Sequence, residues 1–155
     1  MDLMKIEKYW EEFKRKEGLP EEKDYCEAFA FGYSKEEADE LLKLVLEGKK
    51  TAIANCLSTY KLSGKEIPGK GDYSIIMDSK GEPRCIIHTI RTLIIPFINM
   101  TYENVKLEGV DKDIESWKER HLRRFTEEGN KYGFDVYDSM EIIFEVFEVV
   151  DKREA

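Results

Sequence analysis

The stretch Gly48-Lys49-Lys50-Thr51 constrains this chain most, because the period of its hydrophobic residues changes there. Before it, Ala38, Leu41, Leu42, Val45 and Leu46 recur at spacings of three and four, which puts them on one buried helix face. Ser34-Lys35-Glu36-Glu37 has the Ser-x-x-Glu form of a capping box, so the helix is expected to start there and run to about Glu47. Gly48 suits the left-handed position that closes a helix, and lysines beside it can hydrogen-bond the free carbonyls. After it, Ala52 to Tyr60 reads as a strand of imperfect alternation. The turn therefore sets an amine and a hydroxyl, Lys50 and Thr51, at the mouth of a buried strand. A helix-end lysine explains one amine more easily than it explains the Lys-Thr pair.

The flanking segments give an α+β order. Ile6, Tyr9, Trp10 and Phe13 lie at helical spacing, and Gly18-Leu19-Pro20 ends that helix. Asp24 to Tyr33 is aromatic-rich and reads as a short strand or an irregular lid. The Gly64 to Gly71 stretch is a loop, Asp72 to Asp78 a strand, and Ser79 to Pro83 a hairpin turn. Arg84 to Ile95 forms one long strand or two, which Pro96 ends or bends. Thr101 to Val110 is polar and ambiguous. Asp113 to Glu128 is expected to be a helix carrying Ile114, Trp117, His121, Leu122 and Phe125 on one stripe. Met140 to Val150 is expected to be a strand with Glu141, Glu145 and Glu148 facing solvent. Helices early, strands in the middle, one helix and a closing strand predict an α+β fold with a curled sheet or small barrel. The 155 residues are expected to form one domain, 1–155, with an N-terminal helix over 1–20 and the barrel with its flanking helices over 24–155.

The formal charge of -8 argues against a broad basic surface of the kind that grips DNA or long RNA through phosphates. Local basic groups remain. Lys43, Lys49, Lys50, Lys61, Lys65 and Lys70 form one, while Lys118, Arg120, Arg123 and Arg124 read as a solvated helix face. Cys26, Cys56 and Cys85 are an odd, widely spaced set in apolar surroundings, which predicts reduced core residues of a cytoplasmic protein. The acidic Met1-Asp2-Leu3-Met4-Lys5-Ile6-Glu7 start lacks the features of a signal peptide, and no apolar run is long enough for a bilayer, so no membrane partner is expected. Neither His88 nor His121 has a second His, Cys or acid at ligand spacing. No metal or other cofactor is expected.

Several motifs in order resemble the bacterial and archaeal stand-alone branch of the ASCH domain family. They are Phe31-Gly32-Tyr33-Ser34, Ala38-Asp39-Glu40-Leu41, Leu44 to Ala52 with its Gly-Lys-Lys-Thr, Gly71-Asp72-Tyr73-Ser74, Gly81-Glu82-Pro83, Pro96-Phe97, Glu108-Gly109 and Trp117-x-x-x-His121. The resemblance covers nearly the whole chain. It implies a PUA-like fold, a small curled β-barrel with flanking helices and a cleft beside it. It also implies RNA or a nucleotide-like small molecule as partner, and the negative charge favours the small ligand. The chain departs from the family pattern at Ile53, where a second hydroxyl is common, at His88, where an acid is common, and at Val110, where one acid of a Glu-Gly-acid stretch is replaced.

The resemblance centres the cleft on Lys50 and Thr51. The first expectation is a binding cleft for RNA or a nucleotide. The alternative is a small amidohydrolase acting on an acylated nucleoside such as N4-acetylcytidine, or a ribonuclease. For amide hydrolysis, Glu108 would be the base, Lys50 its electrostatic partner and Thr51 a donor or nucleophile. Lys49, Asn55, Tyr73, His88, Trp117 and His121 are the expected ligand contacts. A base would stack on one of Tyr33, Tyr60, Tyr73 and Tyr102, with Arg84 or Arg91 nearby.

Overall fold

The computed structural model describes residues 2–32 and 34–154. Helix α1 (Leu3–Glu17) starts at Asp2, whose carboxylate accepts from the amides of Met4 and Lys5, and stops at Gly18 in the left-handed conformation. Its buried stripe of Ile6, Tyr9, Trp10 and Phe13 is the one the spacing predicts. Burial of each such side chain stabilises the fold by about 1.5–3 kcal/mol, an upper figure because unfolded chains already bury some surface. A two-residue strand, β1 (Ala28–Phe29), follows, and then α2 (Lys35–Leu46), where the Ser34 hydroxyl accepts from the Glu37 amide at 3.1 Å.

Strand β2 (Ala52–Cys56) is shorter than its sequence suggests, because Leu57–Ser63 turns into a helix, α3. Leu57 and Tyr60, three apart, pack together on Ile143, which explains why alternation fails there. Next come β3 (Tyr73–Met77), a single long β4 (Pro83–Pro96), a short 3-10 turn at Phe97–Asn99, and α4 (Tyr102–Leu107), which resolves the ambiguous segment. Helix α5 (Ile114–Tyr132) and β5 (Glu141–Lys152) complete the chain.

The strands form one curled half-barrel in the order β1-β3-β4-β5-β2, with β1 parallel to β3 and the other pairs antiparallel. The two-residue period of the strands separates two cores. Ile75 and Ile86 join the α1 stripe, whereas Ile76 and Ile87 join Leu41, Leu42 and Val45 of α2. A third core sets Trp117 and Phe125 of α5 against Ala52, Ala54, Ile142 and Phe144. Among the described residues no helix is long and apolar enough to cross a membrane.

The expectation for Glu145 is corrected. Glu141 and Glu148 are exposed, but Glu145 is 3% exposed and accepts a 2.7 Å hydrogen bond from the Thr89 hydroxyl. The reason is tertiary: Thr89 of the paired strand β4 bonds the carboxylate, and Glu27 and Asp72, from the segments that lead into β1 and β3, lie close to it. Burial, reinforced by the carboxylates of Glu27 and Asp72, pushes its pKa from 4.5 up to about 7, against the Thr89 hydrogen bond. A pKa raised by folding favours the protonated native state. Its contribution to stability is full below about pH 4.5 and is lost as pH rises through about 7. Glu145→Gln is therefore expected to stabilise the protein at pH 8 by on the order of 2–3 kcal/mol relative to its effect at pH 4.5. Melting temperatures of both proteins across that range check this, and a pH-independent difference would refute it.

Candidate functional site

The α2–β2 turn aims one lysine inward. Gly48 takes φ +77°, and the amides of Lys49 and Lys50 both bond the Leu44 carbonyl, at 2.9 and 3.1 Å. Lys50 is then 3% exposed, while Lys49 stays in solvent, 3.5 Å from Glu47. The Lys50 Nζ donates to the Ala52 carbonyl at 2.8 Å and lies 3.7 Å from Glu108 Oε1 and 5.4 Å from the Phe31 ring centre.

Glu108, at the end of α4, is the hub of a buried cluster and only 2% exposed. Trp117 Nε1 donates to its Oε2, His121 Nε2 lies 3.1 Å from its Oε1, and Arg120 Nη2 lies 3.5 Å away. Arg120 also binds Asp111 through Nε at 3.1 Å and Nη2 at 2.7 Å. Trp117, Arg120, His121 and Arg124 are spaced i, i+3, i+4, i+7 and so share one face of α5. This corrects the reading of the Arg120 and Arg124 run as a solvated face: both side chains are partly buried and engaged.

The charges perturb one another. Burial pushes the Lys50 amine down to about 8, although Glu108 pulls it up. Burial alone would raise Glu108, but His121, Lys50 and the Trp117 hydrogen bond hold its carboxyl well below the usual range. Burial also lowers His121 against the opposing pull of Glu108. Its Nδ1 lies 2.9 Å from the Trp117 carbonyl, so an oxygen faces each ring nitrogen.

Two cavities lie beside α5, the second of them lined by Arg120 and His121 of this cluster. β1 and β2 are the two sheet edges, and the first cavity, of about 210 Å3, lies at their seam. Phe29 and Phe31 line it on one side, Ile53 and Asn55 on the other, with Glu27 and Tyr60 beside them. The second, of about 170 Å3, is lined by Glu37, Arg120, His121, Arg123, Arg124 and Glu127. Arg124 walls both. It donates to the Ala54 carbonyl, as Lys50 does to the Ala52 carbonyl, so two carbonyls of the edge strand β2 are covered by cations.

The expected site residues divide between this region and others. Lys50, Glu108 and His121 converge, and Asn55 and Tyr60 join the seam cavity. The Thr51 hydroxyl instead donates to the Leu107 carbonyl at 3.2 Å and its amide to the same oxygen at 2.8 Å, which ties the turn to α4. Thr51 and Lys50 together line a further, largely apolar cavity of about 510 Å3 with Val45, Ile90, Val146 and Phe147. Trp117 is wholly buried, so it holds Glu108 and offers no surface to a ligand. Tyr73 and His88 stack on each other at 4.6 Å, with Tyr73 against Trp10 and Phe13, on the α1 side of the sheet. They do not meet the Lys50 cluster. Tyr102 is exposed at the start of α4, and Tyr33 lies outside the described residues. Ile53, the departure beside the Lys-Thr pair, is a seam wall, and Val110 is exposed.

Sequence reasoning missed Glu27, Phe31, Arg120 and Arg124 as parts of this site. The helical spacing of Trp117, Arg120, His121 and Arg124 was the available signal, and Phe31 stands in one of the motifs that carry the family resemblance; Glu27 carried none. Among the described residues no group of three His, Cys, Asp or Glu is placed to hold a metal ion.

A model of the ASCH domain matches residues 27–151. Protein EF3133 from Enterococcus faecalis, described under family-model DUF984, is 32% identical, with 97% of this chain and 91% of that chain aligned and a TM-score of 0.88. An ASCH domain from Lactobacillus crispatus is 22% identical over 94% of this chain and 91% of that one, with a TM-score of 0.80, and shares the fold. No match is found among curated proteins. The curled five-stranded sheet, the motif order around Lys50 and the match over most of the chain agree: this protein belongs to the ASCH domain family and has its PUA-like fold.

Proposed function

We propose that the groove formed by the two cavities, centred on Arg124, binds a short single-stranded RNA or a nucleotide. Family membership points to RNA, which ASCH domains are generally thought to bind. The observation that carries the reading is the place of Arg124 between the cavities. On one side, Phe29, Phe31 and Tyr60 supply rings suited to a base; on the other, Arg120, Arg123 and Arg124 supply cations suited to phosphate. The groove's cations, Lys65, Arg120, Arg123 and Arg124, are interleaved with the acids Glu27, Glu37, Glu127 and Glu128, so in a chain of net charge -8 it suits a small anion better than a long one. The buried Lys50–Glu108–His121 cluster sets the position of α5 beneath the groove, and so the position of its arginines.

Short 5′-phosphorylated RNAs are expected to raise the melting temperature by about 5–10 °C at one hundred times Kd, from a linkage of about 2.7 kcal/mol. Arg123→Ala, at an exposed position, should weaken binding on the order of three- to tenfold and flatten its salt dependence without lowering the melting temperature of the free protein. No shift with any RNA or nucleotide would refute the proposal.

A second reading, hydrolysis of an acylated nucleoside, is favoured by one observation: a buried amine with a pKa of about 8 beside a carboxylate. Glu108 is too acidic for a base working near neutrality, so that role falls to Lys50. The binding reading is the stronger, because Phe31 covers the Lys50 amine and both partners are almost wholly buried. Acetate release from N4-acetylcytidine that is lost in Lys50→Ala would decide for hydrolysis.

A further inference from the structure

Arg124, which walls both cavities, is held from two elements directly and from a third at one remove. Its Nη2 donates to the Ala54 carbonyl of β2 and lies 3.4 Å from Asn55 Oδ1, while its Nε lies 3.5 Å from Glu128 Oε2, one turn further along α5. Its Cζ stands 5.0 Å from the centre of the buried Phe125 ring. Glu128 is in turn held from outside its own helix. The Thr59 hydroxyl, on α3, donates to Glu128 Oε1 at 2.6 Å. Thr59 is 6% exposed and lines neither cavity.

A long side chain in solvent samples many rotamers, and a phosphate that binds it must first order it. The Arg124 guanidinium meets Glu128 through Nε and β2 through Nη2, and two contacts of different direction fix the plane of the fork as well as its place. An i, i+4 ion pair by itself would do this poorly, because the carboxylate of such a pair moves as readily as the arginine. The Thr59 hydroxyl removes that freedom by fixing one oxygen of a carboxylate that is only 15% exposed. Helix α3 is anchored in its own right, since Leu57 and Tyr60 pack on Ile143. The chain of contacts therefore runs from the sheet through α3 and Thr59 to Glu128, and from there to Arg124.

Resting on the binding reading above, we infer that Thr59 is a positioning residue of the groove, which acts through Glu128 to hold the Arg124 fork ready for a phosphate. Thr59 itself meets no ligand. Glu128 has two effects of opposite sense, because its carboxylate orients Arg124 and also repels a phosphate beside it. Replacing Glu128 changes both at once. Thr59→Val changes only the first: it keeps the shape and every charge, while Glu128, and with it Arg124, gains motion that a ligand must remove.

Titration of a short 5′-phosphorylated RNA into the wild type, Thr59→Val and Thr59→Ser at several salt concentrations tests this, together with NMR spectra of the arginine Nε–H groups. Thr59→Val is expected to bind about three- to tenfold more weakly, the cost of ordering one long side chain. Its salt dependence should keep the wild-type slope, because no cation is lost, in contrast to Arg123→Ala. Thr59→Ser restores the hydroxyl and should bind within about twofold of the wild type. The Arg124 Nε–H signal should be that of an ordered group in the wild type and in Thr59→Ser, and of a mobile one in Thr59→Val. Unchanged affinity in Thr59→Val, no rescue by Thr59→Ser, or an Arg124 signal that Thr59→Val does not alter would overturn this inference alone. Failure of the wild type to bind any RNA or nucleotide would overturn the binding reading, and this inference with it. If Thr59→Val lowers the melting temperature, Glu128→Gln supplies the second arm, read from the Arg124 signal only: that signal should become mobile, and an ordered one would overturn the inference.

Discussion

Replacing Glu108 by Ala is expected to cost about 3–5 kcal/mol and to lower the melting temperature by roughly 6–20 °C. The cause is what the carboxylate leaves behind. Lys50, 3.7 Å away, and His121, 3.1 Å away, are each nearly inaccessible to water, and the Trp117 indole N–H loses its acceptor. Water cannot readily replace these partners, so the loss includes uncompensated desolvation as well as missing attraction. Glu108→Gln should cost less, because the amide oxygen can still accept from Trp117. It should also change the acid limb of the stability curve. Glu108 has its pKa lowered by folding, so its stabilisation is present above about pH 4.5 and is lost as pH falls below that. Glu108→Gln removes this dependence. A double cycle with Lys50→Met separates the pair from the rest: the double variant should be more stable than the sum of the single losses predicts, and strict additivity would show that the two groups do not interact.

Gly109→Ala is expected to cost about 3 kcal/mol or more, through the backbone rather than through charge. Gly109 follows Glu108 with φ +73°, and a Cβ there would lie 2.2 Å from the Lys49 carbonyl oxygen and 2.9 Å from its carbon. Neither atom belongs to a flexible side chain. The α4–α5 connection and the α2–β2 turn would have to separate, and that contact holds Glu108 beside Lys50. Gly48→Ala is the control. Gly48 has nearly the same φ, +77°, but open space where the Cβ would go, so it carries only the left-handed penalty of about 1–2 kcal/mol. If the two variants lose equal stability by denaturant unfolding, the close approach at Gly109 has no energetic weight. If Gly109→Ala also weakens RNA binding more than Gly48→Ala does, the spacing of the two loops sets the position of the α5 arginines.

The pH dependence expected of the whole protein combines two buried carboxylates of opposite sense. Glu145 favours acid because it is buried and, among the described residues, no cation holds its charge. Glu108 favours neutral pH because it is buried among His121, Lys50 and Arg120. The same side chain thus stabilises or destabilises according to its neighbours, and both neighbourhoods are assembled from residues distant in sequence.

The local signals in this chain were strong wherever one element could satisfy itself. The α1 stripe, the Ser34 cap, the Gly48 stop and the Asp113 start of α5 are set within a few residues, and each appears in the structure as its spacing predicts. The order of motifs then led to the family and its fold. Local pattern failed at Leu57, where contact with Ile143 makes a helix of an apparent strand, and at Glu145, where residues distant in sequence bury an acid at an alternating position. The candidate site depends on the same kind of contact. Local pattern puts Lys50 after a helix stop and sets Trp117, Arg120, His121 and Arg124 on one helix face. That this face meets Lys50 through Glu108, and that Tyr73 and His88 lie on the other side of the sheet, comes from the tertiary fold. It alone brought Glu27 to the seam beside Asn55. The physical reason is that helix caps and hydrophobic periods are properties of neighbouring residues, whereas burial, charge pairing and cavity walls depend on which sheet edges and helices come to face one another.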